Sequence, residues 1–240
     1  MPAAERVFQD EKVIALANAA SDGDLARMRR LIEAGADVKA VGTEGLTLTH
    51  FALYARRNAP EVMSLLLHAG ADPISMLSTG DSVPRYAASR DNADPAVMAV
   101  LLDAGVSPDW RAPFGPYMDT SLLAFAIGGD NFGIVKLLVA RGANINYVNP
   151  FTGSALHNAL SSLRFQIAAF LVDAGIDLAL RNETSPKILP KYRQSETAIE
   201  EFCSTEGGRR GGRAPAQIMA GWELLVAALA KRGVTMPCGL

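Results

Sequence analysis

A short apolar phrase that closes on glycine returns along the chain at Leu31-Ile32-Glu33-Ala34-Gly35-Ala36-Asp37, Leu66-Leu67-His68-Ala69-Gly70-Ala71-Asp72, Leu101-Leu102-Asp103-Ala104-Gly105, Leu137-Leu138-Val139-Ala140-Arg141-Gly142-Ala143-Asn144 and Phe170-Leu171-Val172-Asp173-Ala174-Gly175. The glycines at 35, 70, 105, 142 and 175 stand 35, 35, 37 and 33 residues apart. A chain that copies itself at such a period stacks one small helical or strand unit on the next, each unit contacting its neighbours. Every one of these glycines follows a segment with helical apolar spacing. A helix commonly ends there in a left-handed residue, a conformation that glycine takes without a Cβ clash.

A second landmark stands about twenty residues before the later glycines: Thr47-Leu48-Thr49-His50-Phe51-Ala52, Ser82-Val83-Pro84-Arg85-Tyr86-Ala87, Ser121-Leu122-Leu123-Ala124-Phe125-Ala126 and Ser154-Ala155-Leu156-His157-Asn158-Ala159. Each opens on a hydroxyl that can cap a helix and closes on an alanine small enough for close packing. These phrases resemble the ankyrin signature Thr-Pro-Leu-His-x-Ala. The resemblance covers residues 11–184 and implies an inner helix, a tight turn, an outer helix and an extended finger in each repeat. The fold class it implies is all-α, a solenoid of about five helix-turn-helix repeats with a degenerate C-terminal capping repeat.

The domain reading follows: residues 1–10 an N-terminal extension, 11–184 five repeats, 185–194 a loop, and 195–240 an atypical helical cap and tail. Arg57-Asn58-Ala59-Pro60 and Asp91-Asn92-Ala93-Asp94 lengthen two inter-helix turns, which places them on the surface. In the cap, Ser195 is a candidate helix cap for the segment to Phe202, Gly207 to Arg213 reads as a connection, and Gln217 to Arg232 as a helix ending at Gly233. Leu224, Leu225, Ala228 and Leu229 are expected to cover the last repeat, with Glu223, Lys231 and Arg232 in water. If the cap helices are antiparallel, Cys203 and Cys238 fall some ~20 Å apart, so a disulfide is not expected unless the tail folds back.

The composition narrows the chemistry. With 23 Lys+Arg against 25 Asp+Glu the formal charge is -2, which leaves no basic excess for nucleic acid. The apolar runs are far shorter than the ~20 residues of a membrane span. Of three histidines, His50 and His157 occupy the histidine slot of the repeat and are expected to hydrogen-bond between repeats, and His68 lies in an outer-helix phrase as a surface residue. Cys203 has no histidine near it in sequence and reads as a buried thiol. No catalytic constellation, metal spacing or cofactor motif results, so the chain is read as a non-enzyme without a cofactor.

The departure with most information is the finger Trp110-Arg111-Ala112-Pro113-Phe114-Gly115-Pro116-Tyr117-Met118-Asp119, the longest between full repeats. Trp, Tyr and Arg dominate binding hot spots, so Trp110, Arg111, Phe114 and Tyr117 are candidate partner-binding residues. Tyr147 and Phe151 extend the patch on the next finger, and Tyr54, Arg56 and Arg90, with Arg85, rim it. The competing reading is that the aromatic residues fold back as a local core.

The resemblance also implies a function. The opening Glu11-Lys12-Val13-Ile14-Ala15-Leu16-Ala17-Asn18-Ala19-Ala20-Ser21-Asp22-Gly23-Asp24, the lengthened turns and the degenerate last repeat resemble bacterial ankyrin proteins that serve as immunity partners of secreted toxins, including lipase-type effectors of type VI secretion. It implies a protein partner, a cognate effector toxin, bound by a chain that is monomeric when free. The alternative is an intracellular adaptor or host-directed effector that recruits another protein. The location it implies is periplasmic if Met1 replaces a removed signal sequence, and otherwise cytoplasmic.

Overall fold

The computed structural model describes residues 2–113, 119–182, 196–204 and 216–238. The chain forms two compact units, residues 1–122 and 123–240. The first contains α1 (Ala4–Val7), α2 (Glu11–Asp22), α3 (Leu25–Glu33), α4 (Leu48–Ala52), α5 (Ala59–His68), α6 (Val83–Ser89) and α7 (Pro95–Asp103). Helix α2 packs on α3 and α4, α4 on α5, and α7 on α5 and α6, the neighbour pattern of stacked helix pairs. The boundaries follow the sequence signals. Asp10 accepts hydrogen bonds from the amides of Lys12 and Val13, Asp24 from Arg27, Ser82 from Arg85, and Asp94 from Ala96 with Pro95 in the first turn. At the other ends Gly35, Gly70 and Gly105 adopt φ of 81°, 97° and 95°.

Three side chains of residues 4–8 are part of this unit's core. Ala4, Val7 and Phe8 are buried, and the Phe8 ring lies 5.7 Å from that of Phe51. Val7 sits against Gly42 so closely that a Cβ at 42 would lie 2.4 Å from a Val7 methyl. These contacts tie α1 to α2, to α4 and to the finger at Gly42.

The second unit contains most of α8 (Leu122–Gly128), then α9 (Phe132–Ala140), β1 (Val148–Asn149), β2 (Gly153–Ser154), α10 (Ala155–Ser161), α11 (Phe165–Asp173), α12 (Ala198–Ser204) and α13 (Ala216–Lys231). The two strands pair antiparallel, Val148 with Ser154 and Asn149 with Gly153, and form the finger before α10. They are the one departure from an all-helical chain among the described residues beyond the single bridges that close the other fingers. Helix α10 packs on α11 and α12, and α13 lies along α11. The approach of α13 to α11 is close because Gly221 has no side chain, and a Cβ there would lie 3.1 Å from the Gln166 amide nitrogen.

Three expectations for the cap need correction. Ser195 lies outside the described residues, and α12 starts at Ala198 behind Thr197, whose hydroxyl accepts from the Glu200 amide (3.3 Å) while Glu200 accepts from the Thr197 amide (2.8 Å). This reciprocal pair is a capping box. Leu224 is 52% exposed, because the buried stripe of α13 runs through Trp222, Leu225, Ala228 and Leu229 and leaves position 224 off it. Trp222 takes the central place, with its ring 5.2 Å from Phe165 and 5.8 Å from Phe202. Finally, Cys203 and Cys238 form a disulfide, with Cα atoms 5.6 Å apart. Phe202 sets Cys203 level with Trp222, and Gly233 lies eleven residues, or about 16 Å, further along. Five extended residues from Gly233 to Cys238 span a similar ~16 Å, so the returning tail recovers the distance. The loop at 185–194 and the connection at 207–213 lie outside the described residues.

Candidate partner-binding surface

Tyr54, Arg85, Tyr86 and Arg90 of the first unit gather where α4 ends and along α6. Tyr54 follows α4, half-exposed, with its amide donating to the Phe51 carbonyl at 3.0 Å. Arg90, at the C-terminal end of α6, places its guanidinium 4.8 Å from the centre of the Tyr54 ring and donates to the Leu53 carbonyl oxygen. One turn earlier on α6, Arg85 pairs with Asp81 at 2.8 Å and lies 5.1 Å from the centre of the Tyr86 ring. Tyr86 donates its hydroxyl to Asp81 at 3.1 Å. Burial first, then that hydrogen bond and the Asp81 charge, push the Tyr86 hydroxyl above its ordinary 10, with Tyr54 adding to the effect and Arg85 opposing it. Two guanidinium–tyrosine pairs thus lie along α6, and Asp81 holds both members of the second. A guanidinium over an aromatic face contributes on the order of 0.5–1 kcal/mol at an exposed site and holds both side chains in place.

Arg56 is not part of that cluster. It bonds Asp22 at 3.0 Å, while Arg57 donates to the Asp22 carbonyl and Asn58 to that of Gly23. The lengthened turn therefore ties two successive helix pairs together. Tyr86, which the sequence reading left out of the site, was flagged only by its place beside Arg85 in the degraded signature.

The long finger is a hairpin at its base. Arg111 bridges to Ser121, the Ala112 amide donates to Thr120 and the Leu122 amide to the Trp110 carbonyl. Arg111 pairs with Asp119 at 3.0 Å. Trp110 is half-buried at this base. Phe114 and Tyr117 lie outside the described residues. In the second unit Tyr147 is half-buried, while Phe151 is 50% exposed at the tip of the hairpin, where Asn149 accepts from the amides of Phe151 (2.7 Å) and Thr152 (3.0 Å).

Two of the histidines, His50 and His157, are buried at the start of their helices. The Ser154 amide donates to Nδ1 of His157 at 3.1 Å, which leaves the proton on Nε2, and Nε2 donates to the Glu196 carbonyl at 3.1 Å. His50 receives the Thr47 amide on Nδ1 in the same way (3.2 Å), but its buried Nε2 finds no hydrogen-bond partner. Here the expectation of a bond between repeats fails, although the carbonyl of Asp81 before Ser82 accepts the Leu77 amide as that of Glu196 accepts the Asn182 amide. Burial lowers the His50 pKa from its ordinary 6.5 to about 4, with Asp72 and Asp81 opposing the shift. His68 is exposed and bonds the Ser64 carbonyl at 2.8 Å. Cys203, expected to be a thiol, is bound in the disulfide. Among the described residues no helix is long and apolar enough to cross a membrane.

Residues 85–182 match the family model described as ankyrin repeats in three copies. No curated protein sequence matches the chain. Among solved structures, the chain is similar to the ankyrin repeat domain of Bcl-3, described as a unique member of the IkappaB protein family. That likeness has 20% sequence identity and a TM-score of 0.63, and covers 89% of this chain and 85% of that one. Proteins of this architecture typically serve as non-catalytic scaffolds for protein–protein contact. The fold is that of an ankyrin-repeat solenoid.

Proposed function

We propose that the chain is a non-catalytic protein-binding module, and specifically an immunity protein that binds and inhibits a cognate bacterial secreted toxin, a lipase being one candidate class. The observation that carries the binding reading is the pairing of Arg90 on Tyr54 beside Arg85 and Tyr86. Rigid aromatic and guanidinium groups are the side chains that anchor protein interfaces, and here their rotamers are fixed before any partner arrives, which lowers the ordering cost of association. The immunity role rests on the likeness of residues 11–24, of the lengthened turns and of the degenerate last repeat to such partners. The Cys203–Cys238 bond supports an oxidising compartment, and the periplasm is one.

The test is calorimetry between this chain and the secreted effector encoded beside its gene, paired with an assay of the effector's activity. The reading expects tight, stoichiometric binding and loss of that activity. No binding to that product overturns the immunity role and leaves the adaptor reading as the one to pursue.

A further inference from the structure

The C-terminal cap joins a long helix, α13, to one too short to stand alone. Helix α12 has seven residues, about two turns, below the length at which an isolated helix persists in water. It is held by buried Ala198 and Ile199, by Phe202, set 5.6 Å from the Phe165 ring and 5.8 Å from that of Trp222, by the Glu200 pair with Arg181 at 3.3 Å, and by Glu201, which accepts a bond from Asn182. The tail is tied less well. Lys231 pairs with Asp173 at 3.1 Å, Arg232 donates to the Ile176 carbonyl, and the Val234 amide reaches Leu229 at 3.0 Å. Past that point, among the described residues, Thr235, Met236 and Pro237 make no hydrogen bond, and the next tie is the sulfur of Cys238 on Cys203.

We propose that this disulfide is a redox latch that completes the cap. In the reduced chain the tail beyond Val234 comes free and α12 loses its covalent anchor, while the helix pairs of the first unit stay folded. Closing the latch is a thiol–disulfide exchange with the disulfide of a thiol oxidase or with oxidised glutathione. One cysteine thiolate attacks that disulfide and releases one of its sulfurs as a thiolate. The second cysteine thiolate then attacks the mixed disulfide at the protein sulfur and releases the other. Two protons and two electrons pass from Cys203 and Cys238 to the oxidant, which leaves as its two thiols. A periplasmic location would bear only on where such an oxidant is met. The latch itself is a property of the isolated chain.

The experiment uses the full chain without a partner, so its failure leaves the binding reading untouched. Held in oxidised glutathione, the protein is expected to show no titratable thiol, and after reduction with dithiothreitol two per chain. Reduction is expected to lower the melting temperature on the order of 10 °C, as closure of a loop of 35 residues implies, and to speed amide exchange in α12 at least ~10-fold with α2–α7 unchanged. The variant Cys203→Ser with Cys238→Ser should match the reduced parent with or without dithiothreitol. Two titratable thiols under oxidised glutathione overturn the proposal, as does equal α12 exchange in the two states or a double variant as stable as the oxidised parent.

Discussion

His157 Nε2 lies 3.1 Å from the carbonyl oxygen of Glu196, 39 residues ahead in the chain, so one imidazole closes its own helix cap and also grips the next finger. His50 fills the same slot of an earlier repeat and makes only the first of these bonds. Its Nε2–H is buried without an acceptor. The repeat thus uses one residue type in two ways, and the difference has a pH signature.

The folded chain takes a proton on His50 only near pH 4, whereas the unfolded chain takes it near 6.5. Below pH 6.5 the unfolded state binds more protons at this site, so stability falls as the pH drops and the full contribution is present only above 6.5. Between pH 7 and pH 4 the loss from this site is on the order of 3 kcal/mol. Urea unfolding of the parent and of His50→Gln at both pH values checks it. The stability difference between the two proteins should move by that amount in favour of the glutamine variant at pH 4, and parallel pH slopes would show that His50 is not the group responsible.

Gly142 adopts φ +84° with open space where a Cβ would go. Substitution there costs through the backbone alone, which isolates the left-handed requirement from any clash. Gly142→Val is expected to lose on the order of 1–3 kcal/mol, and Gly142→Asn less, because asparagine tolerates this region. Equal denaturant midpoints for the parent and the valine variant would contradict the helix end placed here.

The recurring glycines were legible because a left-handed helix end needs one specific residue type, and the hydroxyl phrases because Ser154 and Thr47 do local work. What depends on a partner far away in sequence was not. Nothing around His50 distinguishes it from His157, since the contrast lies in a carbonyl of the following finger. Leu224 and Trp222 could not be ranked without knowing which face of α13 meets α11. The capping box Thr197-Ala198-Ile199-Glu200 is readable in the sequence, but Ser195 two residues earlier offers a competing hydroxyl. In the candidate surface, Arg90 was picked out by type alone, and its stacking on Tyr54 comes from the offset between two repeats.

Trp222 and Leu224 stand two residues apart on α13 and should respond oppositely to truncation. Trp222 is 8% exposed between Phe165 and Phe202, so Trp222→Ala leaves a cavity and should cost ~3–5 kcal/mol. Leu224, half in water, should lose within about 0.5 kcal/mol on change to alanine. Chemical denaturation of both variants, in the oxidised state, measures the contrast. A costly Leu224→Ala would mean that its exposed face is covered in solution.

The last expectation concerns the surface around Tyr54. If Arg90 and Tyr54 contact the partner, Tyr54→Ala and Arg90→Ala should each weaken binding by at least ~2 kcal/mol, about 30-fold in Kd. Because Arg90 also donates to the Leu53 carbonyl, its loss touches the fold. Arg90→Lys separates the two effects: a lysine ammonium can still reach the carbonyl but lacks the planar face that stacks on the ring. A packing role predicts lowered melting for Tyr54→Ala with affinity kept, whereas a contact role predicts near-parental melting for Tyr54→Ala and Arg90→Lys with affinity lost. Arg56→Ala serves as the comparison, since its ion pair with Asp22 is exposed on both sides and stands apart from the cluster. Calorimetry with the neighbouring effector alongside thermal melts decides the matter, and parental affinity in all three variants would move the interface away from this face.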